Sequence, residues 1–269
     1  MNQEKVLLKN KRFILSFIFI AICTIVGIIA YVFLHQKYSN PPSLESIVAK
    51  YDHLSPTQWG EKLEGITSLL PDKSKPVAYL TFDACGGAYD KALIDYLIAH
   101  NIQATLFINA RWIHKHTDDF IKLAQNPLFS IQNHGTKHLP LSVNGKSIYH
   151  IKGTDSVSGV YKEIMDNDEL IFKLTGKKPH YFRSGTAYYD EIAVSILKDL
   201  GYKIGGFDVL GDGGATFSKQ KIIKQAQKAR NGSILIYHFN KPQSDTFAGI
   251  KEVVPMLLEK GFYFGKLEE

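Results

Sequence analysis

The chain has 269 residues, 45% of them hydrophobic and 12% aromatic, a composition that indicates a packed globular core with room for one large domain and accessory segments. Net charge is +6, but much of the positive excess sits in residues 1–40, where Lys5, Lys9, Lys11, Arg12 and Lys37 outnumber Glu4. The basic balance is therefore in part a terminal feature, and it excludes a nucleic-acid footprint.

Residues 1–12 form a basic tail. Phe13–Leu34 follows without a charged side chain; at ~1.5 Å per residue it reaches roughly 33 Å, enough to span a bilayer. The charge bias predicts a transmembrane anchor with a cytoplasmic N-terminus and an extracytoplasmic remainder. A cleaved signal peptide is the rival reading, but its apolar stretch is usually only about 7–15 residues. Of the two cysteines, Cys23 lies in the apolar run and Cys85 beyond it, so the exported part has no internal disulfide.

Residues 35–75 read as a stalk or connector, with Pro41-Pro42, Ser55-Pro56 and Pro71 through Pro76 arguing against regular structure, save a short helix over 44–52. From Val77 the hydrophobic pattern alternates between strand and helix periods. Strands are predicted over 77–83, 103–108, 129–133, 181–183, 202–208, 233–238 and 262–266. Helices are predicted over 89–100, 112–125, 155–174, 190–200, 219–229 and 247–260. Such alternation implies an α/β domain over 76–269, with about seven parallel strands in a barrel or strongly curved sheet. Asp83, His134, Arg183, Asp208 and His238 all fall at predicted C-terminal strand ends, where such folds build their sites.

His134 and His138 are four apart, which on a helical turn puts both imidazoles within reach of one ion; the alternative is two surface histidines. Asp83, before Gly86-Gly87, is poised to bind metal or take a proton from water, or is a turn-forming residue. His238 ends the run Ile234-Leu235-Ile236-Tyr237 and is either a proton donor or a hydrogen-bonded core histidine. Arg183 pairs with Asp83 or the Asp208/Asp212 pair, or forms a rim salt bridge. His35, His53, His100, His114, His116, His150 and His180 lack comparable context. Gly211-Asp212-Gly213-Gly214 has no following Lys-Ser/Thr, so it is a turn and no phosphate cradle.

Taken together, these segments resemble the polysaccharide deacetylase family, carbohydrate esterase family four, over residues 76–266. Thr81-Phe82-Asp83 is similar to the family's Thr-Phe-Asp-Asp-Gly, but Ala84 stands where the metal-ligating second Asp is expected. His134-Gly135-Thr136-Lys137-His138 is similar to its His-Ser/Thr-x-x-His, Arg183 to its Arg-x-Pro-Tyr, Asp208 and Asp212 to its acidic segment, and Leu235-Ile236-Tyr237-His238 to its Leu-x-x-His. The resemblance implies a distorted (β/α) barrel and a divalent metal, zinc first. It implies Asp83 as base, His238 as acid, Arg183 and Asp212 as supporting catalytic groups, His134 and His138 as ligands, and Tyr188 and Asp208 as substrate contacts. Three repairs of the missing ligand stay open: a water, Asp83 itself, or Cys85, since residues i and i+2 point the same way along a strand. The implied partner is an N-acetylated polysaccharide reached outside the membrane, with no protein partner. The alternative is a carbohydrate-binding relative without activity.

Overall fold

A computed structural model of the chain describes residues 41–70 and 75–267, with Thr24 alone ahead of them. The expected basic tail at 1–12 and anchor at 13–34 lie outside this described set, Thr24 apart. No helix among the described residues is long and apolar enough to cross a membrane.

Nine strands form one sheet. Eight lie side by side in the order Val209–Leu210, Ile234–His238, Val77–Ala84, Ala104–Ile108, Phe129–Asn133, Tyr181–Phe182, Lys203–Gly205 and Ile66–Thr67, and every neighbouring pair is parallel. Tyr263–Phe264 adds a short parallel pairing to Val77–Ala78. The sheet curls into a half-barrel with helices packed on its outside. Beyond Thr67 the chain bridges to the start of a distant strand: Leu69 pairs with Ser233, and the Leu70 N–H donates to the Gly232 carbonyl at 2.9 Å.

The Val77–Ala84 strand shows how sequence parity builds two cores. Ala78, Leu80, Phe82 and Ala84 face the helix layer, where they join Leu93, Leu97, Trp112 and Ile250. Tyr79 faces the barrel interior with Phe107, Tyr181 and Ile234, and Thr81 and Asp83 share its parity. The helices start where polar side chains satisfy their first free N–H groups: Asp90 accepts from Leu93, Ser156 from Gly159, Asp190 from Ala193. Gly176 ends the 157–175 helix in the left-handed region.

Three expectations change. The helix expected over 112–125 is two helices, Ala110–Lys115 and Thr117–Gln125, broken at His116. There the His116 imidazole stacks on Trp112 with ring centroids 4.7 Å apart, and Nε2 meets the Gly87 carbonyl at 3.1 Å. The strand expected over 202–208 stops at Gly205, because the Gly205 and Gly206 carbonyls turn to accept from Arg183, and Val209–Leu210 pairs separately. The connector expected over 35–75 is, from Ser43 onward, part of the compact unit. Its Leu44–Tyr51 helix buries Ile47 and Tyr51, Trp59–Gly60 pairs with Tyr189–Asp190, and Ile66–Thr67 joins the main sheet.

Candidate active site

Because the central strands are parallel, their C-terminal ends share one edge of the half-barrel. His238 lies in register beside Asp83. Asn133, which precedes His134, pairs with Phe182, which precedes Arg183. This register brings together side chains separated by up to 155 positions in sequence.

Arg183 is fully buried beneath these groups, where a rim salt bridge had been one expectation. Its Nη1 donates to Asp83 Oδ1 at 2.8 Å and to Thr81 Oγ1 at 2.9 Å, Nε and Nη2 donate to the Gly205 and Gly206 carbonyls at 2.9 Å each, and the guanidinium lies over Phe107 at 4.1 Å. A buried guanidinium with this many acceptors is a fixed anchor for the carboxylate beside it. Burial alone would raise the Asp83 pKa, but Arg183, and after it the imidazoles of His134 and His238, hold it below the usual carboxylate value.

His134 Nδ1 lies 2.8 Å from the Arg183 carbonyl. A carbonyl only accepts, so Nδ1 carries the proton and Nε2 presents its lone pair to the site. That Nε2 is 3.5 Å from Cys85 Sγ and 3.6 Å from Asp83 Oδ2. The ring of His138 stands at 5.0 Å and nearly perpendicular to that of His134, and its Nε2 is buried without a hydrogen-bond partner. The ligand atoms of Cys85, His134 and His138 all lie within 4.8 Å of one another. Burial would raise the Cys85 thiol pKa, but the imidazoles of His138 and His134 bring it well below the ordinary value. Burial would lower His134, yet Asp83 and Cys85 leave it raised. One thiolate and two imidazoles make a zinc-type donor set, and the orphaned His138 nitrogen fits a ligand there.

The His134–His138 segment is a loop, where the spacing had suggested a helical turn. Gly135 and His138 both have positive φ, +75° and +65°. Glu163, on the 157–175 helix, holds this loop: its carboxylate accepts from the Lys137 N–H at 2.9 and 3.0 Å and from Leu139 at 3.1 Å. Burial pushes the Glu163 pKa up against these bonds. Asn109 Nδ2 donates to the His134 and Gly135 carbonyls at 2.9 and 2.7 Å.

His238 Nδ1 donates to Asp212 Oδ1 at 2.8 Å, while Asp212 Oδ2 accepts from the His238 N–H at 2.8 Å and from Thr246 Oγ1 at 2.9 Å. The bond fixes the tautomer and leaves Nε2 for the site. Burial would lower the His238 pKa, but the Asp212 carboxylate, and next Cys85, raise it well above the ordinary value.

The structure thus gathers Asp83, Cys85, His134, His138, Arg183, Asp212 and His238. Asp208 is not among them. Its carboxylate accepts from the Ile234 N–H at 2.9 Å and Ser233 Oγ at 2.8 Å, with Arg230 Nε at 3.7 Å, at the opposite end of the strand that His238 terminates. Tyr188 stands apart in an aromatic cluster with Trp59 and Tyr149. Glu163, Asn109 and Thr246 went unread in the sequence; no motif marks them, and only long-range packing shows them, as it shows the bond from Arg183 to Thr81 of the Thr81-Phe82-Asp83 segment.

Comparisons with known proteins agree with this fold. A family model described as polysaccharide deacetylase matches residues 71–205. A 30.6 kDa protein of Geobacillus stearothermophilus from the fumA 3′ region is 23% identical over 222 residues, 79% of this chain and 77% of that protein. PdaA of Bacillus subtilis, a family 4 carbohydrate esterase, superposes with TM-score 0.60 at 21% identity, covering 85% of this chain and 90% of PdaA. BA3943 of Bacillus anthracis, described as a CE4 family pseudoenzyme, superposes with TM-score 0.59 at 18% identity, covering 72% of this chain and 65% of BA3943.

Proposed function

Since this chain belongs to the polysaccharide deacetylase family, we propose that it hydrolyses acetyl groups, N-acetyl first, from a glycan on the outer side of the membrane to which residues 13–34 anchor it. The observation that carries this reading is the convergence of Asp83, His238 and the Cys85–His134–His138 cluster at one edge of the sheet.

Cys85, His134 and His138 are the residues that would hold the metal. Strand parity supports Cys85 over Ala84: Asp83 faces the interior, Ala84 is packed among helix-layer residues, and Cys85 returns to the interior side with its sulfur beside His134. When bound, a divalent metal supplies Lewis-acid polarisation of the acetyl carbonyl and lowers the pKa of an attacking water. Asp83, ionised and held by Arg183, takes the proton of that water. His238, protonated through Asp212, gives a proton to the departing nitrogen as the C–N bond breaks. Acetate and a free amine on the sugar are the products.

The test pairs metal content with acetate release on the full chain. About one zinc per chain, lost in His134→Ala, together with acetate released from an N-acetylglucosamine oligomer, is the expected result. Zinc without acetate from any N-acetylated glycan would overturn the deacetylase reading. One observation favours a second reading, a glycan-binding relative without turnover: Ala84 occupies the position of the family's ligating carboxylate. Glycan binding with neither zinc nor acetate would establish it.

A further inference from the structure

Three aromatic side chains that the proposed chemistry leaves unused meet on the surface. Trp59 and Tyr188 lie with ring centroids 5.7 Å apart at 48°, and Tyr149 meets Tyr188 at 5.9 Å, nearly perpendicular. Each comes from a different segment. Trp59 is held by the pairing of Trp59–Gly60 with Tyr189–Asp190, Tyr188 follows Arg183 by five positions, and Tyr149 tops the hairpin of Ser147–Ile148 and Ile151–Lys152.

The hairpin turn is unusual. Ile148 pairs with Ile151, so Tyr149 and His150 are its two central residues, at φ +52° and +62°. Turns of this shape favour Asn and Gly there, and a side chain such as Tyr is strained. The strained turn holds a tyrosine 64% exposed against Tyr188. Strain kept at an exposed aromatic points to a role for the ring.

This cluster shares a loop with the site. Gly185, between Arg183 and Tyr188, packs so closely on His138 that a Cβ there would lie 2.3 Å from the His138 carbonyl oxygen. We propose that Trp59, Tyr188 and Tyr149 form a stepped platform for a pyranose residue of the glycan, next along the chain from the sugar whose acetyl group reaches Asp83. The inference rests on the deacetylase reading for its choice of glycan. The C–H faces of a pyranose pack on aromatic rings, while the tyrosine hydroxyls take up sugar hydroxyls.

The test titrates the full chain with N-acetylglucosamine oligomers, monomer and hexamer at the two ends, by calorimetry. The hexamer is expected to bind more tightly than the monomer. Trp59→Ala and Tyr149→Ala should weaken the hexamer by about tenfold and leave the monomer unchanged. Tyr149→Gly separates binding from folding: glycine relaxes the turn, so the melting midpoint should hold or rise while hexamer affinity falls. Hexamer affinity in Tyr149→Gly equal to wild type would overturn the platform. Acetate release is measured on the same wild-type sample. Release with undiminished binding in the variants removes the platform alone. Platform-dependent binding without release removes the deacetylase reading alone.

Discussion

Arg183 Nη1 and Asp83 Oδ1 meet at 2.8 Å, both residues buried, and the other Asp83 oxygen faces His134 Nε2 at 3.6 Å. The pair fixes one carboxylate oxygen and leaves the other turned to His134. Arg183 also accepts His134 Nδ1–H through its own carbonyl at 2.8 Å, so one residue orients both the Asp83 carboxylate and the His134 imidazole. Second-contact groups of this kind set tautomer and direction.

Removing either partner of that pair should cost unequal amounts. Arg183→Leu leaves Asp83 buried without its main counter-charge, a change worth about 3–5 kcal/mol. In Asp83→Asn the guanidinium keeps Thr81, Gly205 and Gly206 as acceptors, so the loss should be about 1–2 kcal/mol. Urea unfolding of the two variants measures both; equal losses would show that the pair is no anchor. The same Asp83→Asn protein should keep its zinc and lose turnover by about 10²–10⁴-fold.

Cys85→Ser should lower zinc affinity by more than about tenfold, since a hydroxyl is a poorer zinc ligand than a thiolate. Cobalt-loaded wild type should show thiolate-to-metal charge-transfer absorption, and the variant should lack it. Adding Ala84→Asp to that variant should not restore affinity, because Ala84 is packed in the helix layer. Restored binding would mean that position 84 reaches the ion after all.

On the proposed mechanism, the Asp212–His238 pair should set the alkaline limit of turnover. The folded pKa of His238 is raised, so the pair's contribution to stability is full below the unfolded histidine value and is lost as pH rises through the folded one. An acid that must be protonated follows the same limb, and activity should persist above the ordinary histidine pKa. Asp212→Asn removes the main cause of the rise and should shift the falling limb of the kcat profile to lower pH. His238→Ala should reduce kcat by about 10²–10⁴-fold. A profile unmoved by Asp212→Asn would separate His238 from the proton transfer.

The strands were legible because central parallel strands are buried on both faces and read as apolar runs, as in Ile234-Leu235-Ile236-Tyr237. The ends of those runs located Asp83, His134, Arg183 and His238. Asp208 and Asp212 are four apart and read as one acidic segment at the site, but the two-residue strand Val209–Leu210 lies between them and sends them to opposite ends of the Ile234–His238 strand. The Pro-rich start of residues 41–70 masked a folded segment whose Ile47 and Tyr51, one helical turn apart, pack inward. Glu163 sits on a helix with a mostly polar sequence, and nothing local distinguishes it from its solvent-facing neighbours.

Glu163 supplies the last prediction. Its carboxylate accepts from Lys137 and Leu139 on either side of His138, and Gly135 leaves room for it, since a Cβ there would lie 2.5 Å from Oε1. The loop therefore closes around a charge-assisted anchor, and His138 keeps its left-handed backbone because that anchor holds the flanking N–H groups. Glu163→Gln removes the charge and turns an amide NH2 toward the Lys137 N–H that Oε2 accepts. It should cost about 1–3 kcal/mol of stability and lower zinc affinity by about 10–100-fold, with the His138 resonance shifted in the zinc-loaded protein. A variant that melts lower yet binds zinc as wild type would confine Glu163 to folding.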